Sequence, residues 1–288
     1  MLAANDIKIG VIGSGVMALG IIEHLMCSDV SSKISWFSPS QQSIESKKEN
    51  LIKRVRKAAG RRQVSEDQLA RIISKLEVVG DLLGLKDCNI IHEATHECID
   101  VKKRIYAQIS AVIENENLIL ASNTSSISIT ELSLSYSYPE NFIGIHFFNP
   151  VSHMKLVEVI GGHQTKQSVL DFANEYVKSL DKAAVSVNDA PGFIVNRMLI
   201  PMINEGISIL ADGVATKEAI DDAMKLGANH PIGPLALADL IGLDVVTSIL
   251  NAIYEKTGNS KYKPHAMLSD MVNAGLHGRK SGEGFYKY

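Results

Sequence analysis

The sequence predicts an α/β fold in which an N-terminal doubly wound, mostly parallel sheet is followed by an all-α C-terminal domain. Three observations predict it. A β-rich run leads through a glycine turn into an apolar helix at the N-terminus, and short apolar runs then alternate with helical periodicity to about Val187. After Asp189-Ala190-Pro191-Gly192 the strand signals stop. The chain has 288 residues, 45% of them hydrophobic, enough for a sizeable core in one or two domains. The expected boundary separates residues 1–189 from 190–288.

The first element is the run Ile7, Ile9, Val11 and Ile12, followed by Gly13-Ser14-Gly15-Val16-Met17-Ala18 and an apolar helical segment to Met26. A strand, a glycine turn and a helix make the Rossmann-type dinucleotide unit. Gly13 permits the turn, Gly15 admits a pyrophosphate to the backbone, and the helix N-terminus offers amides at Val16 and Met17. Ala18 takes the third position, which accepts Gly or Ala. The second strand, Lys33–Phe37, should end in an acid that bonds the adenosine ribose of NAD. It ends instead in Ser38-Pro39-Ser40-Gln41. Nothing there repels a 2′-phosphate and serine hydroxyls can bond one, so the expected cofactor is NAD or NADP.

Further strands are expected at Leu76–Val79, Asn89–Ile91, Leu118–Ala121, Phe142–His146, Leu156–Ile160 and Ala183–Val187, with a Ser65/Gln68 capping box opening a helix. In such sheets ligands sit at the carboxyl ends of the strands. Ser125 and His146 fall at or just beyond two of those ends. The stretch from Ser122 to Glu158 reads SNTSSISIT, then GIHFFNP, then MKLVEV, and supplies a hydroxyl, an imidazole and a carboxylate in Ser125, His146 and Glu158. Imidazole is the side-chain base that ordinarily titrates nearest neutrality, and a carboxylate on its far nitrogen fixes the tautomer. His146 is therefore the expected general acid/base.

In the C-terminal region FIVNRMLIPMINEGISILADG is apolar enough to suggest a membrane span, but Asn196, Arg197, Pro201, Asn204 and Glu205 interrupt it. A buried helix kinked at Pro201 is expected. Thr216 is the expected N-cap of the next helix, and Pro234, Leu243 and Pro264 open others. This apolar helical domain suits substrate closure and a homodimer.

A net charge of −3 gives no global case for nucleic acid. The basic run Lys47-Lys48, Lys53-Arg54, Arg56-Lys57 and Arg61-Arg62 reads either as a solvated helix face or as a small anion site; Lys53 and Lys57 share one face. Cys27, Cys88 and Cys98 lack metal spacing and are odd in number, and MLAANDIKIG carries no signal or transit pattern. No metal, no membrane partner and a cytoplasmic location are expected.

The blocks GSGVMALGI, HEATHE with Lys102, ASNTSSISIT, IGIHFFNPVSHMKLVEVI, APGFIVNRMLIPMINE, AMKLGANHPIGPLALADLIGLD and GRKSGEGFYKY together resemble the short-chain (S)-3-hydroxyacyl-CoA dehydrogenases, most of all their bacterial 3-hydroxybutyryl-CoA branch. The resemblance spans essentially the whole chain. It implies that His146 is the catalytic base in oxidation with Glu158 as its partner, and that Ser125 and Asn196 hold the substrate's C3 oxygen and thioester region. It also implies that Glu97, Lys102 and Asn123 stand near the nicotinamide end of the cofactor. Lys53 and Lys57 would hold the phosphates of an acyl-CoA substrate. The chain departs from the family pattern at His96, to which no catalytic role is given. Two other readings share the scaffold: a dehydrogenase of a small hydroxy acid without CoA, and a nucleotide-binding protein that has lost catalysis. The intact Ser125, His146, Glu158 and Asn196 set argues against the second.

Overall fold

A computed structural model describes residues 7–40, 44–61 and 63–288, residue 61 in its backbone only. Gln41 and Arg62, and the Arg61 side chain, lie outside the described residues. The chain divides into two compact units, Met1–Asp189 and Ala190–Tyr288.

Among the described residues the first unit is built on an eight-stranded sheet. Its strands are β1 (Ile7–Ile12), β2 (Ser31–Phe37), β3 (Leu76–Val78), β4 (Ile90–Glu93), β5 (Ile119–Ser122), β6 (Phe142–Phe147), β7 (Leu156–Gly161) and β8 (Ala183–Asn188). Its helices are α1 (Val16–Met26), α2 (Ile44–Arg61), α3 (Glu66–Ser74), α4 (Ile99–Val112), α5 (Ile129–Ser133) and α6 (Gln167–Ser179). The strand order is 3-2-1-4-5-6-7-8. The first six strands run parallel, so the carboxyl ends of β1, β2, β4, β5 and β6 share one edge. The order reverses direction around β1, and this switch point is where doubly wound sheets bind ligands.

The buried runs of β1, β4 and β6 explain the parallel sheet, because strands covered on both faces need apolar side chains on both. Ile9, Val11 and Ile12 are fully buried, as are Ile21, Ile22 and Leu25 of α1. The Ser65 capping box is present, with Gln68 N–H donating to Ser65 Oγ at 3.3 Å. The strict strand–helix alternation breaks twice, the first time between β3 and β4, which only a 3-10 turn at Leu82–Leu85 connects. β6 and β7 pair antiparallel without a helix between them, and β8 runs parallel to β7. β4 begins one residue later than expected and runs on through His92 and Glu93, both fully buried. Their polarity hid the strand's end in the sequence: His92 bonds the Tyr176 hydroxyl at 2.8 Å, and Glu93 is ion-paired.

The second unit is helical: α7 (Val195–Ala211), α8 (Lys217–Gly227), α9 (Pro234–Ile241), α10 (Leu243–Thr257) and α11 (Ala266–Asn273). Thr216 caps α8 by accepting from Ala219 N–H, and Pro234 opens α9. Pro264 stands two residues ahead of α11, whose N-cap is His265. α7 runs through Pro201 as one helix and is not buried all round as expected. Ile200, Ile203 and Ile207 are buried while Met198 is 72% exposed. No single helix among the described residues is long and apolar enough to cross a membrane. The C-terminal GEGFYKY segment is held on α9 by buried Asp239, which accepts from the Phe285 and Tyr286 amides at 2.9 Å each.

Candidate active site

The glycine turn is built by what surrounds it. Gly13 has φ +124°, and a Cβ there would lie 2.4 Å from the Ala94 carbonyl oxygen, so only glycine fits against the residue that follows β4. Buried Trp36 on β2 donates its indole N–H to the Gly13 carbonyl at 2.6 Å and fixes the turn from the other side. Gly15 faces open space, with no atom within 4 Å of an added Cβ. A pyrophosphate needs this backbone access in front of a helix N-terminus.

The turn opens on a cavity of about 810 Å³. Gly13, Ser14, Gly15, Val16 and Met17 form its floor, Phe37, Ser38, Pro39 and Ser40 one wall, and the Ala94–Glu97 loop with α4 the other. The size and lining fit a dinucleotide, which would lay its pyrophosphate on the turn. The Gly15→Ala variant is expected to fold normally and to lose dinucleotide affinity about tenfold or more, because the methyl group occupies the approach path and nothing else. Titration of bound dinucleotide, with a thermal melt as control, checks this; unchanged affinity would contradict the assignment.

Ser38 lines this cavity, but not as expected. It is fully buried, and its hydroxyl donates to the Ser40 carbonyl at 2.8 Å, so that proton is used inside the loop. Lys102 does not line the cavity itself; only 1% exposed, it pairs with Glu93 at 3.0 Å and with Oε2 of cavity-lining Glu97 at 3.4 Å. Asn123 does not line the cavity either. Its side-chain oxygen accepts from Phe147 N–H at 2.9 Å and ties the end of β5 to the end of β6.

Glu93 is the residue that sequence reasoning missed. Its carboxylate accepts from Lys102, from Thr95 N–H at 2.7 Å and Thr95 Oγ1 at 2.6 Å, from Ser122 Oγ at 3.0 Å and from the Tyr106 hydroxyl. Burial alone pushes this carboxyl upward. The Lys102 ammonium and the hydrogen bonds from Thr95 and Tyr106 outweigh it and hold the pKa below the usual carboxylate value. Burial and the same carboxylate push Tyr106 well above its ordinary range, so it remains a donor.

Through Lys102 this buried cluster supports Glu97, whose Oε1 gathers the Asn123–Ser126 loop. It accepts from Thr124 Oγ1 at 2.6 Å, from Ser125 N–H at 2.8 Å and from Ser125 Oγ at 3.3 Å. Beyond the loop, Asp189 accepts from the Ile129 and Thr130 amides and holds the start of α5.

His146 and Glu158 face each other across the antiparallel β6–β7 pair. His146 Nδ1 lies 2.8 Å from Glu158 Oε2, with the imidazole nearly buried and the carboxylate almost fully so. In the neutral ring Nδ1–H donates to the carboxylate and Nε2 carries the lone pair. The carboxylate holds one tautomer and stabilises the imidazolium once a proton arrives. The structure thus joins Ser125 to Glu97 and His146 to Glu158 at adjacent strand ends. Asn196 belongs to the second unit, in the first turn of α7. Lys53 and Lys57 are exposed one helical turn apart on α2, without an ion pair among the described residues.

A dinucleotide turn and a carboxylate-held imidazole on one mostly parallel sheet are the equipment of a nicotinamide-dependent oxidoreductase. The family profile described as the 3-hydroxyacyl-CoA dehydrogenase NAD binding domain matches residues 8–190, and that of the C-terminal domain matches 192–288. A 3-hydroxybutyryl-CoA dehydrogenase of Clostridioides difficile is 46% identical over 281 residues, covering 98% of this chain and 99% of that one. A probable 3-hydroxybutyryl-CoA dehydrogenase of Deinococcus radiodurans is 42% identical, covering 98% and 100%. The crystal structure of the (S)-3-hydroxybutyryl-CoA dehydrogenase of Ralstonia eutropha superposes with a TM-score of 0.92 at 38% identity, covering 98% of each chain. This chain belongs to the 3-hydroxyacyl-CoA dehydrogenase family.

Proposed function

We propose that the protein interconverts (S)-3-hydroxyacyl-CoA and 3-oxoacyl-CoA, with 3-hydroxybutyryl-CoA and acetoacetyl-CoA as the substrate pair, and that it accepts NADPH alongside NADH. The observation that carries the reaction is the His146–Glu158 pair. The nicotinamide cofactor supplies or accepts the hydride at C3 when bound. In oxidation His146 Nε2 takes the hydroxyl proton while Glu158 stabilises the imidazolium; in reduction His146 returns the proton to the C3 oxygen. Ser125, set by Glu97, and Asn196 hold the C3 oxygen and thioester, which fixes the reacting carbon for transfer. The substrate pair is supported by the full-length relatives named for it. NADPH use is supported by the missing carboxylate at the end of β2. The test is addition of acetoacetyl-CoA to enzyme with NADH and NADPH in parallel, with the product resolved by chirality. Oxidation of neither nucleotide, or an (R) product, would overturn the reading.

We further propose that Lys53 and Lys57 hold the CoA phosphates. Their joint replacement by Ala is expected to raise KM for acetoacetyl-CoA about tenfold with a smaller change in kcat, because the contact is made equally in ground and transition states. Raised salt should weaken wild-type binding in the same direction. An unchanged KM returns these lysines to a solvated face. The helical second unit is proposed to form a two-fold dimer, with exposed Met198 and Leu226 as the kind of apolar surface a partner covers. A monomer mass by light scattering would contradict this. A cytoplasmic site of action is part of the same proposal.

A further inference from the structure

Two cations stand at the cavity, one bonded to its glycine turn and one in its α4 wall. Where β2 ends, the wall is Phe37, Ser38, Pro39 and Ser40, the place at which doubly wound folds meet the ribose 2′ position. Lys47, half-buried on α2, reaches over the turn and donates from Nζ to Ser14 Oγ at 2.9 Å. Ser14 itself lines the cavity. On the opposite wall Arg104 of α4 lines the same cavity and has no ion-pair or hydrogen-bond partner among the described residues. Among the described residues lining the cavity the one carboxylate is Glu97, already bonded to Thr124, Ser125, Ser126 and Lys102. Glu45, Glu49 and Asp100, on the same two helices, do not line it, and Lys47 meets it through Ser14 alone.

We infer that Lys47 and Arg104 are the residues that select for a phosphate on the ribose 2′-oxygen, Lys47 from the glycine turn and Arg104 across the cavity. The inference rests on the proposed acceptance of NADPH and names its determinants. Ser38 cannot play this part with its hydroxyl proton, which the Ser40 carbonyl holds. A guanidinium and an ammonium are the groups that bind phosphate most strongly, the first through its planar fork and the second as a point charge. A 2′-phosphate displaces nothing charged here, since Lys47 is held by a neutral hydroxyl.

The test uses the full chain and two probes that differ by one phosphate, 2′,5′-ADP and 5′-AMP, titrated into wild type, Lys47→Met, Lys47→Arg and Arg104→Met. Wild type is expected to bind 2′,5′-ADP more tightly than 5′-AMP. Each Met variant is expected to lose about tenfold of that ratio, the value of one charge-assisted hydrogen bond, and Lys47→Arg to retain most of it. The same variants should raise KM for NADPH more than KM for NADH, a split that a purely structural role of the Lys47–Ser14 bond would not produce. If wild type shows no preference for 2′,5′-ADP, the NADPH reading falls and this inference with it. If wild type prefers it and either Met variant keeps the wild-type ratio, NADPH use stands and the assignment of this pair is overturned.

Discussion

Replacing His146 by alanine is expected to lower kcat for acetoacetyl-CoA reduction by about 10²–10⁴ while leaving dinucleotide affinity near wild type. The two effects separate because the imidazole sits at the end of β6, outside the cavity lined by the glycine turn. Removing it deletes the proton carrier and leaves the nucleotide floor untouched. Glu158→Gln should fall between wild type and His146→Ala: the amide still meets Nδ1 but no longer stabilises the imidazolium. Steady-state kinetics with a parallel cofactor titration check both. Wild-type kcat in the alanine variant would remove His146 from the chemistry.

Lys102→Met is expected to cost about 3–5 kcal/mol of stability at neutral pH, the usual result of deleting one partner of a buried ion pair. It leaves Glu93 fully buried and surrounded by neutral donors. The pH dependence has a definite sign. In the wild type the Glu93 pKa is depressed, so its contribution is complete above the ordinary carboxylate range and is lost as pH falls through the folded-state value. In Lys102→Met burial is no longer opposed by a cation, the carboxyl rises, and the protonated form is favoured. The gap between the two proteins should therefore narrow toward about pH 4. Denaturant melts at neutral and acid pH measure it. A gap that widens on acidification would show that Lys102 supports the fold by some route other than Glu93. Restoring stability with Glu93→Gln in the Lys102→Met background would support the pair directly.

The local parts of this architecture were readable in the sequence, and the long-range polar parts were not. Ile7–Ile12, Gly13, Gly15 and α1 follow one another in the chain, so their roles show in a short window. His146 and Glu158 were legible because each lies in a strand-like run. Their direct opposition depends on the antiparallel turn between β6 and β7, which nothing in the alternating pattern signalled. Glu93 was missed because it reads as the polar end of a strand, while its partners Thr95, Lys102, Tyr106 and Ser122 come from a loop, a helix and another strand. The one available hint was Lys102, a cation five residues beyond the HEATHE block with its two acids, Glu93 and Glu97. Trp36 bonding Gly13, and Lys47 bonding Ser14, are contacts across more than twenty residues, and no periodicity carries them. The hydroxyl of Ser38 was expected to face a ligand because it follows a strand; the turn that brings Ser40 O onto it set its direction instead.

The measurement closest to the central claim is the ratio of kcat/KM for acetoacetyl-CoA to that for free acetoacetate under saturating dinucleotide. Reduction of a CoA thioester at the His146–Glu158 pair, with Lys53 and Lys57 holding the carrier, predicts a preference for acetoacetyl-CoA of about 10³ or more, since remote binding energy is used at the reacting carbon. Both activities should collapse together in His146→Ala. Equal rates on the two substrates, or turnover of acetoacetate alone, would contradict the account and identify a dehydrogenase of free hydroxy acids on the same scaffold.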